Sequence, residues 1–194
     1  AALMRVHVRW RTRVPVTWRV LNDHWERSYG DLEWRGLLGE RVLPWYFLAF
    51  DGRATHGYGV ATGARGFAFW QTDPDGLSLW LDVRNGGGPV RLGERTLDAA
   101  VVHVRQGAAG ESAFAAARQF CRILCPKPKL PAAPVYGANN WYYAYGRNCS
   151  AEQILRDSDL LAELAPAGAN RPFMVIDDGW QPVNTAGPWD RGNA

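Results

Sequence analysis

The apolar run Phe173-Met174-Val175-Ile176 ends in two adjacent carboxylates, Asp177 and Asp178, followed by Gly179 and Trp180. Neighbouring carboxylates accept strong charge-assisted hydrogen bonds. Nothing alternates between residues 173 and 176, and a strand covered on both faces reads as a continuous apolar segment, so the run is predicted to be a buried parallel strand. The pair then stands at the strand's C-terminal end, the edge at which α/β architectures bind ligands. The competing reading is a strand-terminating turn, because Asp-Asp-Gly is ordinary turn chemistry.

The elements upstream favour the functional reading. Ser150 is a good N-cap, and Gln153 three residues on completes the pattern of a capping box. The helix it starts runs through Ile154, Leu155, Leu160, Leu161 and Leu164 and is stopped by Pro166 and Gly168. Before it lies Pro134-Val135-Tyr136-Gly137-Ala138-Asn139-Asn140-Trp141, a second candidate strand. Strand, helix, strand is the order of a parallel crossover unit.

These segments carry a resemblance. Gly137-Ala138-Asn139-Asn140-Trp141, the helix Ile154 to Leu164, and Val175-Ile176-Asp177-Asp178-Gly179-Trp180-Gln181 resemble the opening of the catalytic barrel of α-galactosidases (melibiases) of glycoside hydrolase family 36. Gly187-Pro188-Trp189-Asp190 and Asn193 resemble the loop after the second barrel strand. The resemblance covers residues 134–194 and departs at Ala138 and Asn140, where the family more often has Trp and Ser. It implies that Asp177 and Asp178 hydrogen-bond hydroxyls of a terminal galactose and that Trp141 walls the sugar pocket. Trp180 is counted with these substrate-binding candidates. A carboxylate suits neighbouring hydroxyls, and tryptophan suits the C–H face of a sugar ring. For Trp141 the alternative is a core aromatic at a strand end.

Retaining glycosidases need a nucleophile and an acid/base about 5–5.5 Å apart. The resemblance implies that both stand on later strands, so no catalytic residue is assigned and they are expected beyond residue 194. A whole barrel takes about 250 residues, and residues 134–194 hold only its first two strands and one helix. The chain is therefore expected to be a piece of a larger enzyme, inactive alone. Two other readings stay open: an α-galactosyl transferase of the raffinose synthase type, and a non-catalytic, tryptophan-rich carbohydrate-binding module. A downstream strand ending in Lys-x-Asp, and a later one ending in Asp, would separate enzyme from binder.

The first half is patterned differently. Met4, Val6, Val8, Trp10, Val14, Val16, Trp18 and Val20 alternate with Arg5, His7, Arg9, Arg11, Arg13 and Arg19, which predicts a half-buried strand interrupted near Pro15. Strand-like runs follow at 42–50, 56–62, 66–72, 77–83 and 96–105, punctuated by Asp73-Pro74-Asp75-Gly76 and Asn85-Gly86-Gly87-Gly88. Short strands at regular spacing predict a β-sandwich. A helix over roughly Glu111 to Leu124, with Phe114, Ala117, Cys121 and Leu124 on one face, leads into the proline-rich stretch 126–134. The predicted organisation is multidomain, β and α/β. A β-sandwich at 1–109 and a connecting helix and linker at 110–133 precede the first βαβ unit of a truncated (β/α)8 TIM barrel at 134–194.

Composition excludes several classes. The chain is 47% hydrophobic and 21% charged, with ten Trp, and no run approaches the ~18 apolar residues of a membrane span. No signal-peptide pattern is visible, and localisation and oligomeric state are not legible. The net charge of +3 reflects an arginine bias, since Lys127 and Lys129 are the only lysines, and the arginine-bearing face of the first strand reads as a solvated sheet face, not a nucleic-acid surface. The expected partner is an α-galactoside oligosaccharide, with no nucleic acid and no membrane.

No cofactor is expected, and no metal, because His7, His24, His56 and His103 are scattered away from Cys121, Cys125 and Cys149. Cys121 and Cys125 read as core thiols. Cys149 follows the first barrel strand and is a candidate pocket-lining residue. The segment Asp23 to Trp34 is dense in charged and aromatic residues. The resemblance implies that the sandwich lends one aromatic residue to the pocket, and Trp25 and Trp34 are the candidates, with sandwich core as the alternative.

Overall fold

A computed structural model of the chain describes residues 2–23, 32–146, 148–168 and 170–180. The chain divides into two compact units, Ala1–Pro128 and Lys129–Ala194. The division falls inside the proline-rich stretch.

Among its described residues the first unit holds ten strands: β1 (Ala2–Leu3), β2 (Arg5–Arg11), β3 (Arg19–Leu21), β4 (Leu43–Pro44), β5 (Tyr46–Phe50), β6 (Thr55–Val60), β7 (Phe67–Asp73), β8 (Gly76–Asp82), β9 (Val90–Arg91) and β10 (Val102–Arg105). Two four-stranded antiparallel sheets form, ordered β10-β6-β5-β3 and β2-β8-β7-β4, and β1 pairs with β9. Period-two alternation sends Ala68, Trp70, Leu77, Leu79 and Leu81 of one sheet inward, where they pack with Val20, Phe47, Ala49 and Val60 of the other. The buried indole of Trp70 donates to Trp45 O at 3.1 Å, so its burial leaves no orphaned donor. Outside the sandwich, the register β2–β8–β7 lines up His7, Trp80 and Phe69, which stack at centroid distances of 3.9 and 6.1 Å.

Helix α1 (Ala113–Leu124) starts at Ser112, whose hydroxyl accepts from Ala115 N. It buries Ala116, Phe120 and Leu124. Phe120 and Leu124 pack with Leu48, and Phe120 lies over Gly57, where a Cβ would stand 2.6 Å from its ring. The predicted face was displaced: Phe114 and Cys121 are exposed, because the groove over Gly57 and Gly59 accepts the i, i+4 row 116, 120, 124. Edge strand β2 also keeps Val8 and Trp10 substantially exposed despite its alternation.

The second unit contains β11 (Gly137–Asn139), α2 (Trp141–Ala144), α3 (Ala151–Leu164) and β12 (Phe173–Val175). Strands β11 and β12 pair in parallel, Gly137 opposite Phe173 and Asn139 opposite Val175. Ser150 caps α3 by accepting from Gln153 N at 3.3 Å. Gln153 does not reach back to complete a capping box; its amide donates to Asp157.

The expected fold class is corrected here. The regular structure of the described residues is mostly β, in four small sheets, with no (β/α)8 barrel among them, so the expectation of a multidomain β and α/β protein with the first βαβ unit of a truncated barrel does not hold. A barrel strand is buried on both faces, whereas Phe173 is 58% exposed and Val175 and Ile176 are also exposed. Each of the two strands is three residues long, and α3 fully buries none of its residues. The apolar run that looked like the mark of a covered strand belongs to a small two-stranded sheet.

Candidate functional site

The C-terminal ends of β11 and β12 bring Asp177 beside Asn139 and Asn140. Asn139 ends β11, and its Nδ2 donates to Asp177 Oδ2 at 2.7 Å while its Oδ1 accepts from Trp141 N at 2.7 Å. One carboxamide thus ties the carboxylate to the start of α2. Asp177 and Asp178 are both half-buried. Each also serves the local backbone: Asp177 Oδ1 accepts from Asp178 N at 2.8 Å, and Asp178 Oδ1 accepts from Gly179 N at 2.9 Å. Both oxygens of Asp177 are thus engaged within the chain, Oδ1 by the turn and Oδ2 by Asn139.

Gly179 permits the close packing behind the pair. Its φ is +102°, and a Cβ there would lie 2.2 Å from Gly146 O, so no side chain fits. The two aromatic candidates flank the turn in sequence. Trp141 is half-buried and meets Tyr145 edge-on at 5.9 Å; Trp180 is 62% exposed.

Asn140 escaped the sequence reading as a site residue. It is 1% exposed. Its Oδ1 accepts from Asp177 N at 2.7 Å, its Nδ2 donates to Cys149 Sγ at 3.4 Å, and its own N–H bonds Val175 O at 3.3 Å. Cys149 is 5% exposed, and its N–H donates to Gly146 O at 3.1 Å. It stands behind the carboxylates as an acceptor for Asn140. The available signal was the asparagine doublet at the end of a strand, where both amides reach Asp177, Asn139 at its carboxylate and Asn140 at its backbone N–H.

A second polar cluster adjoins in sequence. Tyr143 Oη donates to Asp157 Oδ2, whose other oxygen accepts Gln153 Nε2 at 2.7 Å. Partial burial first, and then the bond to Asp157 and its charge, push the Tyr143 phenol up to about 12. This tyrosine stays protonated across the physiological range.

Other candidates lie elsewhere. Trp34 packs edge-on against Phe50 at 6.3 Å within the first unit. Trp25, His24, Gln181 and the 187–193 motif fall outside the described residues. A cleft of about 340 Å³ between α3 and β12 is lined by Ser158, Leu161, Arg171 and Met174 among others and includes neither aspartate. Arg5 and Arg9 on the first strand are paired with Asp82 and Asp73, which gives that face the character of a cross-strand ion-pair ladder. Among the described residues no group of three His, Cys, Asp or Glu side chains is arranged to hold a metal, and no helix is long and apolar enough to cross a membrane. No family model, curated protein or solved structure matches the chain.

Proposed function

We propose that this chain recognises a terminal α-linked galactose as the sugar-binding part of an α-galactosidase-like retaining glycoside hydrolase, with Asp177 and Asp178 gripping ring hydroxyls and Trp141 and Trp180 meeting the C–H face of the sugar. The observation that carries the reading is the 2.7 Å bond from Asn139 Nδ2 to Asp177 Oδ2. It joins the two sequence motifs that resemble α-galactosidases at one edge and fixes the rotamer of a carboxylate beside a second one. Preorganised acceptors of this kind discriminate between epimers, because a misplaced hydroxyl cannot meet carboxylates held in fixed positions.

A non-catalytic galactoside binder is the second reading. It is favoured by the bonds from Asp178 N and Gly179 N to the two carboxylates, which hold both as fixed acceptors. Neither aspartate is assigned to bond cleavage under either reading. The full chain should bind methyl α-galactoside and fail to turn over an aryl α-galactoside. Calorimetric titration together with a chromogenic assay tests this; absence of galactoside binding overturns the recognition site, and turnover overturns the assignment of binding without cleavage.

A further inference from the structure

We infer that Asn140, oriented by the buried thiol of Cys149, is a positioning residue that sets the Asp177-Asp178 turn in its binding geometry. The inference rests on the proposed galactose site and adds a residue pair to it that touches no sugar.

The orientation of the Asn140 amide follows from its neighbours. Asp177 presents a backbone N–H, so the carboxamide oxygen must face it; this contact is 2.7 Å long. The NH2 group then points the other way, where Cys149 Sγ accepts it at 3.4 Å. Sulfur is a weak acceptor, but in a site where Asn140 and Cys149 are 1% and 5% exposed, water does not compete for the bond. Removing that acceptor leaves a buried amide donor unsatisfied, and the amide relieves this by rotating, which withdraws Oδ1 from Asp177 N. The backbone bond from Asn140 N to Val175 O anchors the same residue to the end of β12, so a rotation of its side chain moves the start of the aspartate turn relative to that strand.

Asn139 fixes the Asp177 carboxylate and Asn140 fixes the Asp177 backbone. Two adjacent amides therefore hold one aspartate from both ends. A displacement well below one ångström at such a site is enough to weaken two simultaneous hydroxyl contacts.

Cys149→Ser keeps an acceptor at the sulfur position, and Cys149→Ala removes it with little change in volume. Galactoside affinity should stay within about twofold of wild type in the serine variant and fall about tenfold in the alanine variant, the scale of one lost hydrogen bond. In ¹⁵N–¹H spectra of the full chain, the Asp177 amide should shift upfield in Cys149→Ala and return in Cys149→Ser. Asn140→Ala should show the larger version of both effects; if it fails to fold, the two cysteine variants decide alone. Equal affinities and an unmoved Asp177 amide in Cys149→Ala overturn the inference, as does a serine variant as impaired as the alanine one. If wild type binds no galactoside, the proposed function fails while the inference is judged on the Asp177 resonance: shifted and rescued sustains it, unmoved removes it.

Discussion

The two units of this chain are held together by different physics. The sandwich hides Phe47, Trp70, Leu79 and Phe120 almost completely and has the cross-strand order expected of a hydrophobically driven domain. In the second unit the fully buried residues among those described are Asn140, Ala144, Gly146, Cys149 and Gly179, none of them a large hydrophobe. Many of its large apolar side chains, Leu155, Leu160, Leu164, Phe173, Val175 and Ile176 among them, are exposed. Where the sandwich uses burial to fix its shape, the second unit uses amide hydrogen bonds and a glycine contact around the aspartate pair. Among the described residues, the aspartate turn therefore has its geometry set by polar contacts, with no large hydrophobe fully buried in the same unit.

Substitutions in each unit sharpen that contrast. Phe120→Ala empties the space over Gly57 and should cost the sandwich about 3–5 kcal/mol, the usual scale for deleting a buried aromatic ring. Its thermal transition should fall by many degrees, and a melt within a degree of wild type would show that α1 contributes little. Gly179→Ala places a methyl against Gly146 O and a side chain at φ +102°. It should cost about 1–3 kcal/mol, expressed as faster amide exchange at Asn140 and Gly146 with the sandwich amides unchanged. Equal loss of protection in both units would mean that the glycine contact does not belong to the second unit alone.

The smallest expected effect is on acid stability. Asp51 is held down to about 2 by N–H groups of Ala54 and Arg53 and by the side chain of His56. Its folded pKa lies below its ordinary value of 3.8, so its contribution is complete above that value and is lost as pH falls towards 2. Wild type and Asp51→Asn should therefore differ in melting temperature at pH 6 and converge near pH 2. A difference that persists unchanged at pH 2 would remove Asp51 from the sandwich's acid response.

How much of this was legible follows the same division. The hairpin at Asp73-Pro74-Asp75-Gly76 was readable because turn chemistry is local, and Asp75 N does bond Asp73 Oδ1 at 2.9 Å. The start of α3 was readable from Ser150, which caps in the structure, whereas Ser112, which caps α1, was passed over for a start near Glu111. The buried face of α1 was not, because Gly57 and Gly59 select it from more than fifty positions away in the chain. The run 173–176 misled for a related reason: continuous apolarity states what a strand could bury, and the covering layers that decide the matter are distant in sequence. At the site, Asp177 was visible as a carboxylate at a strand end. Asn140 was not, since an asparagine beside a strand reads as a loop residue until its two partners, Asp177 N and Cys149 Sγ, are in place.

The central claim is that Asp177 and Asp178 grip galactose hydroxyls in addition to shaping their turn. Replacing either with Asn keeps turn propensity and size but exchanges a charged acceptor for an amide. The most direct test is calorimetric titration of methyl α-galactoside into the full wild-type chain and into Asp177→Asn and Asp178→Asn, with thermal melts alongside. Each variant should lose about 2–4 kcal/mol of binding, roughly 30-fold to 1000-fold in Kd. Melting temperature should change little in Asp178→Asn, whereas Asp177→Asn should also loosen the second unit, because its NH2 must face either Asn139 Nδ2 or Asp178 N. Wild-type affinity in both variants would contradict the account and leave the pair as a turn.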